Sequence, residues 1–266
     1  EAQGKTFVYS YDNGGNVLAK TEYAYTTEEV LGTSLGTKTY QYGDTHWKDK
    51  LTSYNGQGIT YDAIGNPLSY YNGMTFNWEQ GRRLSQTTLT DGTTLQYAYN
   101  PDGIRFKKTV GTVETTYFTD NAGTIYAMTV GNESLVFLYD ATGRREGFIH
   151  YTGETSNGTY YYLYNAQGDV IGITDDSFTP VVTYEYNAWG KLLAVSGSEA
   201  DTIGRINPFR YRGYVYDEET GFYYLNSRYY DPETGRFLNA DGAYDTKQGV
   251  LGFNMYCYCL NNPVNM

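Results

Sequence analysis

The stretch Tyr139-Asp140-Ala141-Thr142-Gly143-Arg144 is one copy of a six-residue pattern that decides the fold of this chain. The same pattern reads Tyr11-Asp12-Asn13-Gly14-Gly15-Asn16 and Tyr61-Asp62-Ala63-Ile64-Gly65-Asn66, with looser copies beginning at Tyr99, Thr119, Tyr164 and Tyr186. The Asp or Asn can accept hydrogen bonds from backbone amides two residues on, and the glycine takes the positive φ that closes a turn. Each copy therefore predicts the turn of a β-hairpin.

The segments on either side of these turns favour strands. Residues 94–99, 159–164 and 181–186 are rich in Tyr, Thr and Val, and the first and third alternate in polarity. Between Gly81 and Gly190 the repeat glycines lie about 20 to 25 residues apart, which is typical of repeat arrays. Single hairpins cannot bury an aromatic face alone, so we expect neighbouring hairpins to pair into one long sheet.

The composition agrees with a sheet that has one solvent-exposed face. The 266 residues include 32 tyrosines and 31 glycines, and only 40% are hydrophobic. A tyrosine ring supplies contact area while its hydroxyl needs water or a polar partner. The net charge of −11 argues against a nucleic-acid binder. No apolar run approaches the roughly 20 residues that span a bilayer, so no membrane span is expected.

A second set of sequence patterns lies between Asn207 and Met266. The patterns are Pro208-Phe209-Arg210-Tyr211-Arg212-Gly213-Tyr214, Asp217-Glu218-Glu219-Thr220-Gly221, Arg228-Tyr229-Tyr230-Asp231-Pro232, Gly235-Arg236-Phe237 and Asn261-Asn262-Pro263-Val264-Asn265. This segment resembles the Rhs-associated core, which ends the shell of bacterial Rhs proteins built from tyrosine-aspartate (YD) repeats. The resemblance divides the chain into a YD-repeat shell, residues 1–206, and a core segment closing it, residues 207–266.

The predicted fold class is all-β. The resemblance implies a spiralling antiparallel sheet of YD-repeat hairpins that forms part of a hollow β-shell, as in the related repeats of teneurins and of the C components of Tc toxins. Leu251, Asn254, Met255 and Tyr258 are spaced for one short helix or turn near the C-terminus. Residues 26–58, which lack the tight turn pattern, are expected to be the least regular.

Arg228, Asp231 and Asp241 are the candidate catalytic residues. A turn signal, Asp231 to Gly235, separates the two aspartates and could fold them toward each other. Two close carboxylates share a proton and can act as acid and base toward a water molecule, and an arginine could orient them. From the residues alone, these aspartates could equally be ordinary turn residues.

The resemblance adds a specific activity to this constellation. In similar Rhs and Tc proteins an Arg and two Asp form an intramolecular aspartyl protease that cuts the chain once and releases a C-terminal toxin inside the shell. This chain has Ala240-Asp241-Gly242 where the family often has Pro-Asp-Pro. The family's cleavage site is expected after Asn-Pro-Val-Asn, beyond Met266, so the chain is at most a single-turnover autoprotease and lacks its scissile bond.

No other residues indicate a chemical site. His46 and His150 are far apart in the sequence, and Cys257 and Cys259 are too close together for a relaxed disulfide and lack further ligands for zinc. We therefore expect no cofactor and no metal.

Two functions stay open from the sequence. The first is a shell fragment that encapsulates and delivers a C-terminal toxin passenger; the second is a cell-surface adhesion or carbohydrate-binding module. The first implies secretion or a bacterial cell-surface location, with the passenger, further shell repeats and a secretion machinery as partners. Aromatic rings packed between repeats favour the shell, whereas a row of exposed rings favours sugar binding.

Overall fold

The computed structural model describes residues 4–242 and 249–265, which form two compact units. Unit 1 comprises residues 1–76 and 233–266, and unit 2 comprises residues 77–232. Strands dominate both units, as predicted for an all-β chain. The predicted core segment, 207–266, contributes to both units, and its residues 243–248 and Met266 lie outside the described part. The division at residue 206 stays a prediction.

Unit 1 contains a five-stranded antiparallel sheet in chain order. Its strands are β1 (Lys5–Tyr11), β2 (Val17–Ala24), β3 (Ser34–Gln41), β4 (Ser53–Tyr54) and β5 (Gln57–Gly58). The short strands β6 (Thr60–Tyr61), β7 (Pro67–Ser69) and β8 (Thr75–Glu79) follow, and the boundary between the units falls within β8. After residue 232 this unit adds β23 (Arg236–Phe237) and two 3-10 helices, Gly249–Phe253 and Cys259–Asn261.

Unit 2 is a meander in which each strand from β9 to β19 pairs antiparallel with the next. The strands are β9 (Arg83–Thr88), β10 (Thr94–Tyr99), β11 (Arg105–Val110), β12 (Val113–Thr119), β13 (Ile125–Val130), β14 (Glu133–Tyr139), β15 (Arg145–Thr152), β16 (Thr155–Tyr164), β17 (Val170–Thr174), β18 (Pro180–Tyr186) and β19 (Leu192–Ser196). The helix α1 (Ile203–Ile206), a 3-10 turn at Tyr211–Gly213 and the meander β20 (Val215–Asp217), β21 (Phe222–Leu225) and β22 (Arg228–Asp231) complete it.

The repeated pattern forms the predicted turn. Asp140 Oδ1 accepts hydrogen bonds from the backbone N–H groups of Thr142 at 2.7 Å and Arg144 at 3.0 Å, and Gly143 has φ 83°. The strand pairing shifts at Tyr139, so each turn carries a bulge. The same side-chain cap recurs at Asp12, Asp62, Asn100, Asp120, Asn165 and Asn187.

The tyrosine of the pattern joins successive repeats. The Tyr186 hydroxyl donates to the backbone carbonyl of Val170 at 2.9 Å, and Val170 is the first residue of the strand that follows the preceding turn. Equivalent bonds run from Tyr42 to Val17, Tyr61 to Leu51, Tyr99 to Leu84, Tyr139 to Ile125 and Tyr164 to Arg145. The pattern needs tyrosine rather than phenylalanine because the hydroxyl satisfies a carbonyl at the start of the neighbouring strand.

Three features differ in detail from the sequence predictions. The turn Asp175–Thr179 has the same side-chain cap, but Phe178 occupies the glycine position with φ 60°. Because the glycine is missing, the six-residue pattern did not predict this turn. Helix α1 was not predicted. The expected short helix or turn near the C-terminus is the 3-10 helix Gly249–Phe253, and left-handed Leu260 and Asn261 interrupt regular structure further on.

Replacing Gly143 by Ala should lower the free energy of unfolding by about 1–2 kcal/mol, measured by urea denaturation. No heavy atom lies within 4 Å of a Cβ built at this position, so the loss comes from the left-handed backbone alone. Gly143→Asn is the matched control and should lose less, because Asn tolerates this conformation. Equal stability of all three proteins would contradict the assignment.

Tyr186→Phe should cost about 1 kcal/mol, because it leaves the Val170 carbonyl without the hydroxyl donor. Tyr126→Phe is the control, since the Tyr126 ring is half exposed and its hydroxyl contacts only the surface carboxylate of Asp120. Thermal unfolding measures both. An effect of Tyr126→Phe as large as that of Tyr186→Phe would argue against the inter-repeat bond.

Candidate functional site

Two of the three candidate catalytic residues lie on β22 in unit 2. Arg228 begins the strand and is half-buried, and Asp231 ends it and is buried. A tight turn at Asn226, φ 59°, precedes the strand and pairs Arg228 with Leu225. Residues three apart on a strand direct their Cβ atoms to opposite faces, so Arg228 and Asp231 share a strand but not a face.

The third candidate, Asp241, belongs to unit 1. It follows β23 in a segment whose two ends are fixed by the chain near the C-terminus. The Phe237 N–H donates to the Tyr256 carbonyl at 3.0 Å, and the Asp241 N–H donates to the Met255 carbonyl at 2.8 Å. Phe237 and Ala240 are buried, whereas Asp241 is half-buried. The chain therefore reaches the surface at this carboxylate.

The first half of the core segment is fixed to the repeat sheet of unit 2 by a buried ion pair. Asp217 on β20 accepts two bonds from the Arg105 guanidinium on β11, at 2.5 and 3.1 Å, and the two side chains are 0% and 1% exposed. Lys108 lies 3.3 Å from Asp217 and 2.7 Å from Glu219. This network satisfies the buried Asp217 carboxylate with two cations.

The charges in this network decide the ionisation of Asp217. Burial alone raises the pKa of its carboxyl, but Arg105 and Lys108 outweigh burial and hold that pKa below its ordinary value of 3.8. The pKa of Lys108 is raised: burial opposes this, but the attractions of Asp217, Tyr117 and Glu219 together outweigh it. Both groups are therefore charged at neutral pH.

Tyrosines enclose the Arg105 guanidinium. Its centre lies 4.4 Å from the centroid of the Tyr224 ring, and its Nη1 donates to the Tyr229 hydroxyl at 3.2 Å. The Arg105 backbone N–H donates to the Tyr224 hydroxyl at 2.9 Å. The Tyr229 hydroxyl also contacts the Tyr99 hydroxyl at 2.9 Å, so β21 and β22 are joined to a repeat tyrosine. The strand that carries Arg228 and Asp231 is thus rigidly supported.

A second buried anchor holds the start of the core segment. Asn207 accepts a hydrogen bond from the Tyr162 hydroxyl at 2.7 Å and donates to the Phe209 carbonyl at 2.7 Å. Arg210 donates to the Gly204 carbonyl at 2.6 Å, and its guanidinium lies 4.3 Å from the Tyr184 ring centroid. The helix α1 and the first pattern of the core segment are therefore locked to β16 and β18.

Unit 1 has an anchor of its own around Arg236. This buried side chain donates to the Asp49 carbonyl at 2.6 Å and to the Tyr42 hydroxyl at 3.3 Å. Asn254 donates to Asn16 Oδ1 at 2.8 Å, and the Met255 N–H donates to the Asp49 carboxylate at 3.1 Å. These bonds fix the C-terminal part of the chain to the first repeat turn.

None of the anchoring residues was assigned a role from the sequence. Arg105 and Asp217 are 112 residues apart, and nothing in either local pattern names its partner. One sequence signal was available: Arg105 is a charged residue within a predicted strand. A buried arginine requires a carboxylate or several acceptors, so this residue indicated a buried polar partner.

The other polar features of unit 2 form no metal site. A cleft of about 340 Å³ is lined by Lys108, Tyr117, Met128, Arg205, Pro208 and Glu219, among others. His150 contacts Glu133 at 2.6 Å. Within residues 4–242 and 249–265, no group of three His, Cys, Asp or Glu side chains could hold a metal ion. In the same part of the chain, no helix has the length and apolar character of a membrane-spanning segment.

Asp217→Asn should destabilise the protein by about 3–5 kcal/mol in urea denaturation, because it leaves Arg105 buried without its carboxylate and removes one of the two carboxylates beside Lys108. Glu114→Gln, which breaks the exposed pair with Lys107, is the control and should cost under about 1 kcal/mol.

The pH dependence provides a second readout of this variant. The folded pKa of Asp217 is lowered, so its stabilising contribution is present above pH 3.8 and is lost as the pH falls through the folded pKa. The stability difference between wild type and Asp217→Asn should therefore shrink below about pH 4. A difference that stays constant down to pH 2 would show that the carboxylate charge is not responsible.

Comparison with known proteins shows which proteins this chain is similar to. A family profile described as "Teneurin YD-shell" matches residues 149–264. The tRNA3(Ser)-specific nuclease WapA of Bacillus spizizenii is 33% identical over 98% of this chain and 11% of its own length. The tRNA nuclease WapA of Bacillus subtilis is also 33% identical, over 98% of this chain and 11% of its own length. The chain thus spans about a tenth of these curated relatives.

A solved structure shares the fold. The crystal structure titled TcdB2-TccC3-TEV superposes with a TM-score of 0.74 and 22% identity, covering 98% of this chain and 13% of the other. The similarity is one of fold, and it agrees with the large antiparallel sheets described above. The predicted relationship to Rhs and YD-repeat proteins is therefore confirmed, with a teneurin YD-shell profile matching residues 149–264.

Proposed function

We propose that this chain is part of the shell of a secreted or surface-exposed bacterial Rhs-type toxin protein that encloses a C-terminal toxin passenger, and that its core segment cuts the chain once between shell and passenger. The observation that carries this proposal is the core segment itself, which is fixed to the repeat strands by buried ion pairs and tyrosine hydroxyls. Segments held this firmly can present Asp231 in a fixed position within unit 2 and Asp241 in a fixed position within unit 1.

The relatives support a passenger of the toxin class. The two WapA proteins are named as tRNA nucleases, and this chain corresponds to about a tenth of each of them. The nuclease activity belongs to those whole proteins, and we assign this chain the shell. Further shell repeats and a secretion machinery are the other partners of the proposal.

The proposed cut is a hydrolysis carried out by Arg228, Asp231 and Asp241. One carboxylate takes a proton from a water molecule while the water oxygen attacks the carbonyl carbon of the scissile peptide. The other, protonated, carboxyl donates its proton to the leaving nitrogen. The C–N bond breaks, one C–O bond forms and one water is consumed, leaving a new carboxyl and a new amino terminus. Arg228 would orient a carboxylate or stabilise its charge.

The positions of the aromatic rings weigh against the alternative, an adhesion or carbohydrate-binding module. In unit 2, Tyr97, Tyr117, Tyr162, Tyr184, Tyr223, Tyr229 and Tyr230 are all buried. The exposed rings of the described part of unit 2 are fewer: Phe118 and Tyr126 on the paired strands β12 and β13, and Phe178 in the Asp175 turn. Packed rings favour a wall over a flat sugar platform.

The test is the intact mass of this chain expressed with its natural downstream residues. We expect a single cut after Met266, abolished by Asp231→Asn and by Asp241→Asn. Asp176→Asn, at an exposed position of a turn, is the matched control and should be cut like wild type. An uncut wild-type protein would refute self-cleavage and leave both aspartates as turn residues of a structural shell.

A further inference from the structure

Asn239 is an unusual residue of the described chain. It is fully buried, yet neither its side-chain oxygen nor its side-chain nitrogen has a hydrogen-bond partner among the residues that the structure describes. Burying an amide without hydrogen bonds is unfavourable, and folded proteins pair the large majority of such groups. The unpaired amide therefore needs an explanation.

A second buried asparagine shows the ordinary arrangement. Asn207 is 1% exposed, and its side chain bonds the Tyr162 hydroxyl, the Phe209 carbonyl and the Tyr184 hydroxyl. Asn16 in unit 1 is likewise bonded, to Asp12 and Asn254 among others. The lack of hydrogen-bond partners at both side-chain atoms of Asn239 is thus specific to its position and not a general property of asparagine in this fold.

The position of Asn239 is close to the proposed reaction. It lies two residues before Asp241, and the bonds from Phe237 and Asp241 to residues 255 and 256 hold the segment between them at both ends. Leu238 and Ala240, its neighbours in the chain, are also buried, so the whole segment around the amide is removed from water. A hydrogen bond formed there would be strong because the local dielectric is low.

The amide also has the chemistry that recognises a peptide. Its nitrogen donates and its oxygen accepts, which is the complement of a backbone C=O and N–H. We propose that Asn239 positions the substrate of self-cleavage by hydrogen-bonding the backbone of the peptide to be cut, close to Asp241. This inference rests on the proposed function. Because the substrate is the continuation of the same chain, it packs against Asn239 as the chain folds and needs no entry path.

The proposal separates stability from cleavage. In the 266-residue chain, Asn239→Leu keeps the branching of the side chain and removes an unpaired polar group, so it should unfold at the same temperature as wild type or higher. In the chain extended by its natural downstream residues, the same variant should be cut at least about tenfold more slowly, because one oriented donor to a reacting peptide contributes on the order of 100-fold.

The experiment compares four proteins by intact-mass time course and thermal unfolding: wild type, Asn239→Leu, Asn239→Ala and Leu135→Ala. Leu135 is fully buried on β14, outside the core segment, so Leu135→Ala should lose stability but be cut at the wild-type rate below its unfolding temperature. Asn239→Ala repeats the test without added volume, in case leucine does not fit. Slow cutting by both Asn239 variants with unchanged unfolding temperature supports the proposal.

Two results would overturn it, and they are distinguishable from each other. If wild type is cut and the Asn239 variants are cut equally fast, or if both variants lose stability as Leu135→Ala does, then Asn239 has a structural role and self-cleavage stands without it. If wild type is not cut at all, the proposed function fails and this inference fails with it.

Discussion

The bidentate pair between Arg105 and Asp217 is the interaction on which unit 2 depends. Both side chains are removed from water, so each charge is tolerated only because the other is present. Hydrophobic residues could join the same strands without burying charges. A bidentate pair of an arginine and a carboxylate, however, has a defined geometry. The pair therefore fixes which strand of the repeat sheet β20 lies against, and Lys108 and Tyr229 reinforce that choice.

The repeat sheet solves a different problem, which is how to keep a long meander in register. Each aspartate or asparagine cap closes one hairpin, and each tyrosine hydroxyl reaches back to the strand that follows the previous turn. The two halves of the YD pattern thus act at different ranges: the acidic residue within a hairpin and the tyrosine between hairpins. A slip of one residue would break both sets of bonds at once.

The sequence predicted what is local and periodic. The Asp140 turn and its relatives were recognisable because a cap and a glycine at fixed spacing have few other uses. The Asp175 turn was missed because Phe178 takes the left-handed position that the pattern reserves for glycine. The contacts of Arg105 with Asp217 and of Arg236 with Asp49 join residues more than a hundred positions apart. A local sequence pattern cannot predict such long-range pairs. Asn239 could not be identified from the sequence for the same reason, because only the folded structure shows that its amide has no hydrogen-bond partner among the described residues.

The discontinuity of unit 1 has a consequence for the order in which the protein is made. Arg236 bonds to Asp49 and Asn254 to Asn16, so the first 76 residues are completed only by a segment that begins at residue 233. At the usual speed of synthesis, about 5–20 residues per second, the ribosome needs roughly 9 to 37 seconds to cover the 187 residues between Asp49 and Arg236. During this time β1 to β5 lack the side chains that cover Asn16 and Asp49, while unit 2, which is continuous in sequence, can already fold. The amino-terminal sheet is therefore the part of the nascent chain in which incorrect strand pairing is most favoured.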